Sequence, residues 1–171
     1  MTRYIIRPER SRLCIDARSS LHPIRSETDG LEGWLELAMA PQGWVTDEVT
    51  PKAHVELPVD RLRSGNALED RELRRRIDAR RFPTIGGDLT ALNETETAGR
   101  YRVVGDVTFR GVTRRCEDEM TITVGGDGCL RLEGRSSFDI RDFGMEPPRI
   151  LMLRVEPEVT VTVDIAASPQ G

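Results

Sequence analysis

Histidine is nearly missing from this chain: only His22 and His54 occur among 171 residues. A metal centre built on imidazoles therefore lacks ligands. The three cysteines, Cys14, Cys116 and Cys129, are odd in number and show no CxxC spacing. That argues against a disulfide framework or a zinc motif, and leaves them as small buried hydrophobes. Aromatic residues make up 5% of the chain, so the interior has to be mostly aliphatic. No run approaches the roughly 18 apolar residues that a membrane-spanning helix requires. The opening MTRYIIRPER has no apolar h-region and no small-residue cleavage site, so a cytoplasmic location is expected. HEXXH, GXSXG, the P-loop and GXGXXG are all absent, and no loop has the acidic spacing of a calcium site. Gly125-Gly126-Asp127-Gly128 imitates a phosphate loop only in composition. A strand-like run follows it where phosphate binding would need a helix, so it is read as a hairpin turn.

What is present describes a well-solvated globular domain. Charged residues reach 32%, the net charge is −4 and the pI is near 5.4. This negative balance argues against nucleic acid as a partner, because phosphate binding needs clustered cations. One cationic cluster exists, Arg71, Arg74, Arg75, Arg76, Arg80 and Arg81, interleaved with Glu69, Asp70, Glu72 and Asp78. It reads as a solvated helix face with i,i+4 ion pairs, or as a contact for an anionic surface. The length fits a single domain, expected over residues 1–167, with 168–171 as a loose tail.

The dominant pattern has period two, the signature of strands with one buried face. Leu13, Ile15 and Ala17 alternate with Cys14, Asp16 and Arg18. Leu31, Gly33, Leu35, Leu37 and Met39 share a face, as do Ala53, Val55, Leu57 and Val59, where Pro58 points to an edge or a bulge. Tyr101–Phe109 is a valine-rich strand run. Met120, Ile122 and Val124 lead into the glycine turn, and Leu130 and Leu132 leave it. Val159, Val161, Val163 and Ile165 form the cleanest alternation in the chain. One segment, 67–81, consists of helix formers with Leu73 and Ile77 at i,i+4, a cap available in Ser64-Gly65-Asn66, and Pro83 as a stop. Many short strands with turns between them indicate a sandwich or a closed barrel, which periodicity alone does not separate.

Several segments, taken in order, resemble the YceI-like family of polyisoprenoid-binding, lipocalin-like proteins. Ala17-Arg18-Ser19-Ser20-Leu21-His22 followed by Gly30-Leu31-Glu32-Gly33 is similar to its opening strands. Val55–Val59, then Leu62, Ser64, Gly65 and Asn66, then Arg71-Glu72-Leu73-Arg74, then Arg81-Phe82-Pro83-Thr84-Ile85 resemble its central stretch. Tyr101–Arg114 is close to the family's y-x-v-x-G-x-L-t-i-x-G-v-t-r and is the most specific segment. Leu132-Glu133-Gly134, Ser137-Phe138 and Asp142-Phe143-Gly144-Met145 complete the series. Glu72 stands where histidine is common in the family.

The resemblance implies an all-β fold, an antiparallel lipocalin-like barrel of about eight strands with one short helix over an end. It implies an interior that holds an isoprenoid quinone, a polyprenyl chain or a similar lipid, with no catalytic step. The expected lining is Leu35, Leu37, Met39, Val55, Leu57, Phe109, Met120, Ile122, Leu132 and Phe138, with valines of the last strand. Leu73 and Ile77 would close one end, and Phe82 and Phe143 would flank the mouth. The same residues would equally fill a ligand-free core, in which case the chain would be a stress-related interaction protein working through its outer surface. An enzyme built on His22 and a carboxylate is the third reading. An open edge strand would offer a route to a homodimer.

Overall fold

In the computed structural model, which describes residues 1–46, 48–150 and 152–171, the chain forms an antiparallel β-barrel. The strands in chain order are β1 (Thr2–Ile6), β2 (Arg12–Ser19), β3 (Ile24–Thr28), β4 (Glu32–Leu37) and β5 (Lys52–Pro58), then the helix α1 (Ala67–Ile77). They are followed by β6 (Thr84–Glu94), β7 (Arg100–Phe109), β8 (Val112–Val124), β9 (Leu130–Asp139), β10 (Arg149–Ile150) and β11 (Leu153–Pro169). Eight strands close the ring in the order β1-β4-β5-β6-β7-β8-β9-β11 and back to β1. Closure removes the sheet edges that an open sandwich would expose.

The closure depends on a single interrupted strand. β1 and β2 lie end to end along the same side of β11: Ile6 pairs with Ala167, and Arg12 with Asp164. Between them Pro8–Arg10 make one 3₁₀ turn, with proline at the position where a missing N–H is harmless. Ser11 repairs the ladder at this break. Its hydroxyl accepts from the Ala166 N–H at 3.0 Å and donates to the Arg7 carbonyl at 2.7 Å. Beyond β11, β1 pairs with β4 and so closes the ring, whereas β2 pairs with β3, and Leu13, Ile15 and Ile24 of these two strands wall the α1 end of the interior. The far edge of β3 is held at Glu27 by two backbone bonds to Arg63, both 2.9 Å.

Residues 168–170 are not loose. Ser168 and Pro169 continue the pairing of β11 with β1, the Arg7 guanidinium bonds to the Ser168 hydroxyl, and the Gln170 N–H donates to the Arg3 carbonyl at 2.8 Å. Pro58 is not on an edge either, since β5 lies between β4 and β6. The proline stands beyond Glu56, the last β5 residue paired to β4, and so interrupts no bond on that side.

The helix begins where expected and ends earlier. The Asn66 side chain accepts from the N–H groups of Leu68 and Glu69, at 3.0 and 3.2 Å. Asp78 then turns left-handed, with φ 59°, and its N–H and that of Ala79 return to the carbonyls of Arg75 and Arg74. The helix therefore stops at Ile77, before the residues up to Arg81 that its composition favoured, and Pro83 has no part in ending it. Glu72 accepts from Arg75 and Arg76, so the expected ion pairing involves two of the six arginines of the run among the described residues.

The buried apolar residues form two clusters. The larger contains Tyr4, Ile6, Leu35, Leu37, Tyr101, Ile122, Leu130 and Leu132; the smaller has Val59, Ile77 and Met145, with Leu73 and Phe109 against them. The Tyr101 ring is fully buried, and its hydroxyl accepts from the Val45 N–H at 3.0 Å. That bond meets the requirement of a buried phenol and ties the β4–β5 loop over one barrel end. Of the cysteines only Cys14 is buried; Cys116 and Cys129 are half-buried.

Candidate functional site

The period-two alternation leaves a hollow interior. Small and medium-sized inward residues, among them Val55, Val103, Gly105, Val107, Gly134 and Val161, leave space inside the barrel. One chamber, of about 270 Å³, lies between Leu35, Leu37, Leu92, Val103, Met120, Ile122, Leu132, Val163 and Ile165. A second, of about 290 Å³, lies under α1 between Leu31, Leu57, Leu62, Leu73, Ile77, Ile85, Phe109, Phe143, Met145 and Ile150. Both are walled by Val55, Gly87, Val107, Phe138 and Val161, so the two form successive compartments along the barrel. Among the described residues, none that lines the second chamber is charged. Each approaches the lower end of the size range of small-molecule sites, and the pair suits a chain-shaped occupant.

Glycine keeps the common wall thin. Gly87 lines both chambers, and Gly105 lines the first, where an added Cβ would come within 2.7 Å of the Asp88 carbonyl oxygen. This close approach adjoins a bulge in the β6–β7 ladder between Leu89 and Ala91.

Charged residues, Asp88, Asp106, Glu119 and Arg135 among them, also border the first chamber, and one polar stretch follows from the strand pairing. β8 and β9 are paired from Val124↔Leu130 to Met120↔Gly134; farther along, β8 pairs only with β7 and β9 only with β11. Where the two strands part, Cys116 and Asp118 continue the face of β8 that carries Met120, and Ser136 continues the face of β9 that carries Gly134. All of them border the chamber, and the Ser136 hydroxyl hydrogen-bonds to the Asp118 carboxylate across the gap. Burial, and after it the charges of Asp106, Asp142 and Asp118, push the Cys116 thiol above its ordinary pKa, so the thiol stays protonated and is a poor nucleophile near neutrality.

Of the residues expected to line a ligand site, Leu35, Leu37, Val55, Met120, Ile122, Leu132 and Phe138 border the first chamber. Val55, Leu57, Leu73, Ile77, Phe109, Phe138 and Phe143 border the second. Met39 lies outside both; it forms an isolated bridge with Val45 and packs on the larger cluster. Phe82 also stays outside, with the Arg81 guanidinium 5.1 Å from its ring centre and its edge filling the space beside Gly111. Phe143 meets Phe109 edge-on at 5.9 Å between ring centres, which fixes this end of the tunnel. Lining residues that sequence reasoning missed fall on β2 and β3, such as Leu13, Ile15 and Ile24, on β6, such as Ile85, Leu89 and Leu92, and on the stretch after β9, such as Met145, Pro148 and Ile150.

Neither histidine faces the interior. His22 Nε2 lies 3.9 Å from Glu69 on α1. His54 points outward from β5, its Nδ1 2.7 Å from Asp88 and its Nε2 3.7 Å from Glu56. The hydrogen bond to Asp88 raises the His54 pKa above its usual value, opposed by partial burial. Among the described residues no helix is long and apolar enough to cross a membrane.

Comparison with known proteins agrees with this geometry. No curated protein matches the chain in sequence. Among solved structures, BcnA of Burkholderia cenocepacia aligns with a TM-score of 0.79 at 14% identity, covering 95% of this chain and 99% of that one. A polyisoprenoid-binding domain of Saccharophagus degradans, implicated in plant cell wall breakdown, gives 0.79 at 10% identity, covering 99% and 100%. A YceI protein of Campylobacter jejuni gives 0.63 at 12% identity, covering 82% and 81%. At such identities the likeness speaks for the fold. Family membership rests on the sequence model of the YceI-like domain, which matches residues 4–167, and on that basis the chain belongs to the YceI-like family.

Proposed function

We propose that this protein is a carrier that holds an apolar chain molecule, an isoprenoid quinone or polyprenyl lipid, inside the barrel without transforming it. The observation that carries the reading is the pair of chambers with a common wall, of which the one under α1 has no charged lining among the described residues. A filled core, the requirement of a purely structural domain, does not fit two such voids in so small a barrel. A chain threaded through both would exchange its hydration for aliphatic contact, at about 25 cal/mol per Å² of apolar surface removed from water. Several hundred Å² of prenyl tail would outweigh the cost of ordering the chain, so few polar contacts are needed. The tail would lie under α1, and the polar end at the gap edged by Asp118 and Ser136. The solved relative from Saccharophagus degradans is described as polyisoprenoid-binding, which agrees with this reading.

Native mass spectrometry of freshly purified protein, followed by organic extraction, tests the proposal. A stoichiometric apolar adduct is expected, and its extract names the ligand class. A clean apo mass with no uptake of added quinones or polyprenols would overturn it.

A further inference from the structure

Three exposed apolar side chains gather at the α1 end of the barrel. Met152 is 96% exposed, Leu21 81% and Leu68 61%. Single exposed apolar residues need no explanation. These three, however, sit on adjoining tips, and contacts on either side of Leu21 hold those tips together. Ser20 exchanges two hydrogen bonds with Arg154: its N–H donates to the Arg154 carbonyl at 2.9 Å, and its hydroxyl accepts from the Arg154 N–H at 3.1 Å. This fastens the β2–β3 turn to the β10–β11 hairpin, whose tip carries Met152. His22 Nε2 lies 3.9 Å from Glu69, which sets the same turn beside the first turn of α1, where Leu68 stands.

Cations accompany these tips. Arg149 and Arg154 are paired across the β10–β11 hairpin, one on each side of Met152. Arg71 follows Leu68 by one helical turn. All three are exposed, and among the described residues none of the three is in an ion pair. The two acidic side chains of the first helical turn, Glu69 and Asp70, are instead buried, with Glu69 turned to His22 and Asp70 accepting from the Ser64 N–H. Cationic tips therefore stand out from a chain whose net charge is −4.

We propose that this end of the barrel docks on an anionic lipid bilayer, with Leu21, Leu68 and Met152 inserted at the headgroup level and Arg71, Arg149 and Arg154 against the phosphates. Apolar side chains beside unneutralised cations match the two attractions that hold peripheral proteins on such surfaces. Two copies meeting patch to patch would set these arginines against one another, so the charges favour an anionic lipid surface over symmetric self-association. The site also adjoins the uncharged chamber: Ile150 of β10, Ile24 just after the β2–β3 turn, and Leu73 and Ile77 of α1 all line it. Docking would set this chamber beside the acyl region, so that a prenyl tail could pass between them without crossing water. The inference deepens the carrier reading and relies on it for this last step.

Co-sedimentation with large unilamellar vesicles tests it, using phosphatidylcholine alone or with phosphatidylglycerol added. Wild-type protein should partition onto the anionic vesicles and much less onto the neutral ones, and salt should weaken the binding. The triple variant Leu21→Ser, Leu68→Ser, Met152→Ser should bind roughly 100-fold more weakly, since three exposed anchors are lost. A second variant, Arg149→Glu with Arg154→Glu, should lose the preference for the anionic vesicles. None of these side chains is in the core, and unchanged thermal unfolding would show that both variants fold. Uptake of a polyprenol from detergent micelles, measured alongside, separates the two readings. If the wild type takes up no polyprenol, the carrier reading fails, while the sedimentation still decides docking. If it takes up polyprenol but ignores anionic vesicles, or if both variants bind like the wild type, docking is overturned. Dimerisation in solution abolished by the triple variant would also overturn it, by giving the patch to a second copy of the chain.

Discussion

Gly33 is the residue at which the backbone leaves no freedom. It stands in β4 with φ +146°, and a Cβ there would fall 2.0 Å from the His54 carbonyl oxygen of β5. No movement of a flexible side chain relieves a clash with a paired backbone, so β4 and β5 would have to separate. Gly33→Ala should therefore destabilise the protein by at least about 2 kcal/mol, read as a lower denaturant midpoint. His54, across the same pair of strands, gives a smaller and pH-dependent effect. Its pKa is raised in the folded protein, chiefly by the Asp88 hydrogen bond. The stabilisation is thus complete below the unfolded value of about 6.5 and disappears as pH rises through the raised folded value. Asp88→Asn should lower the His54 pKa in an NMR titration. It should cost stability at about pH 5.5 and almost none at about pH 9, with an upper bound of about 1 kcal/mol for a pair this exposed.

At the scale of elements, legibility follows local pattern. The second half of β8 and the middle of β11 alternate strictly between apolar and polar residues, and their inward positions can be read directly; β7 does so except at Val103-Val104-Gly105. β6 cannot be read this way, because Gly86-Gly87 and the bulge at Leu89/Ala91 break its alternation where the wall must be thin. Met145, Pro148 and Ile150 were hidden for another reason. They lie in an irregular stretch whose burial is decided by α1 and β11, contacts distant in sequence. The helix itself shows both cases. Its start is written in Asn66, whose side chain caps it; its end comes from Asp78 adopting a left-handed conformation that composition does not signal. Asn66→Ala should cost about 1 kcal/mol, the usual value of such a cap, by thermal or denaturant unfolding. Leu73→Asp and Ile77→Asp place a charge against the uncharged chamber, and Ile77→Asp should be the worse because Ile77 is buried and Leu73 only half so. Both should reduce stability and lipid uptake together. If neither quantity moves, α1 does not cover the chamber.

The molecule as a whole joins two compartments through one short stretch of wall, and that makes the length of its ligand testable. Val161 and Phe138 border both chambers, Val161 in the middle of β11 and Phe138 near the end of β9. A ligand confined to one chamber would not be affected by an obstacle between them, whereas a chain running through both would be. Val161→Trp places such an obstacle in existing empty space, so its own packing cost should stay near the low end of the 1–3 kcal/mol usual for enlarged core residues. Ligand at about 100 times its dissociation constant stabilises the folded state by about 2.7 kcal/mol, which in a domain of this size raises Tm by roughly 5–10 °C. Prenols of increasing length should each give that shift with the wild type once saturating. With Val161→Trp the shift should persist for short prenols and vanish for long ones, with a cut-off set by the chamber that remains open. An equal loss at every length would mean that the substitution had only damaged the fold. Retention at every length would mean that the ligand occupies one chamber, and the paired compartments would then no longer be the reason for reading this barrel as a chain carrier.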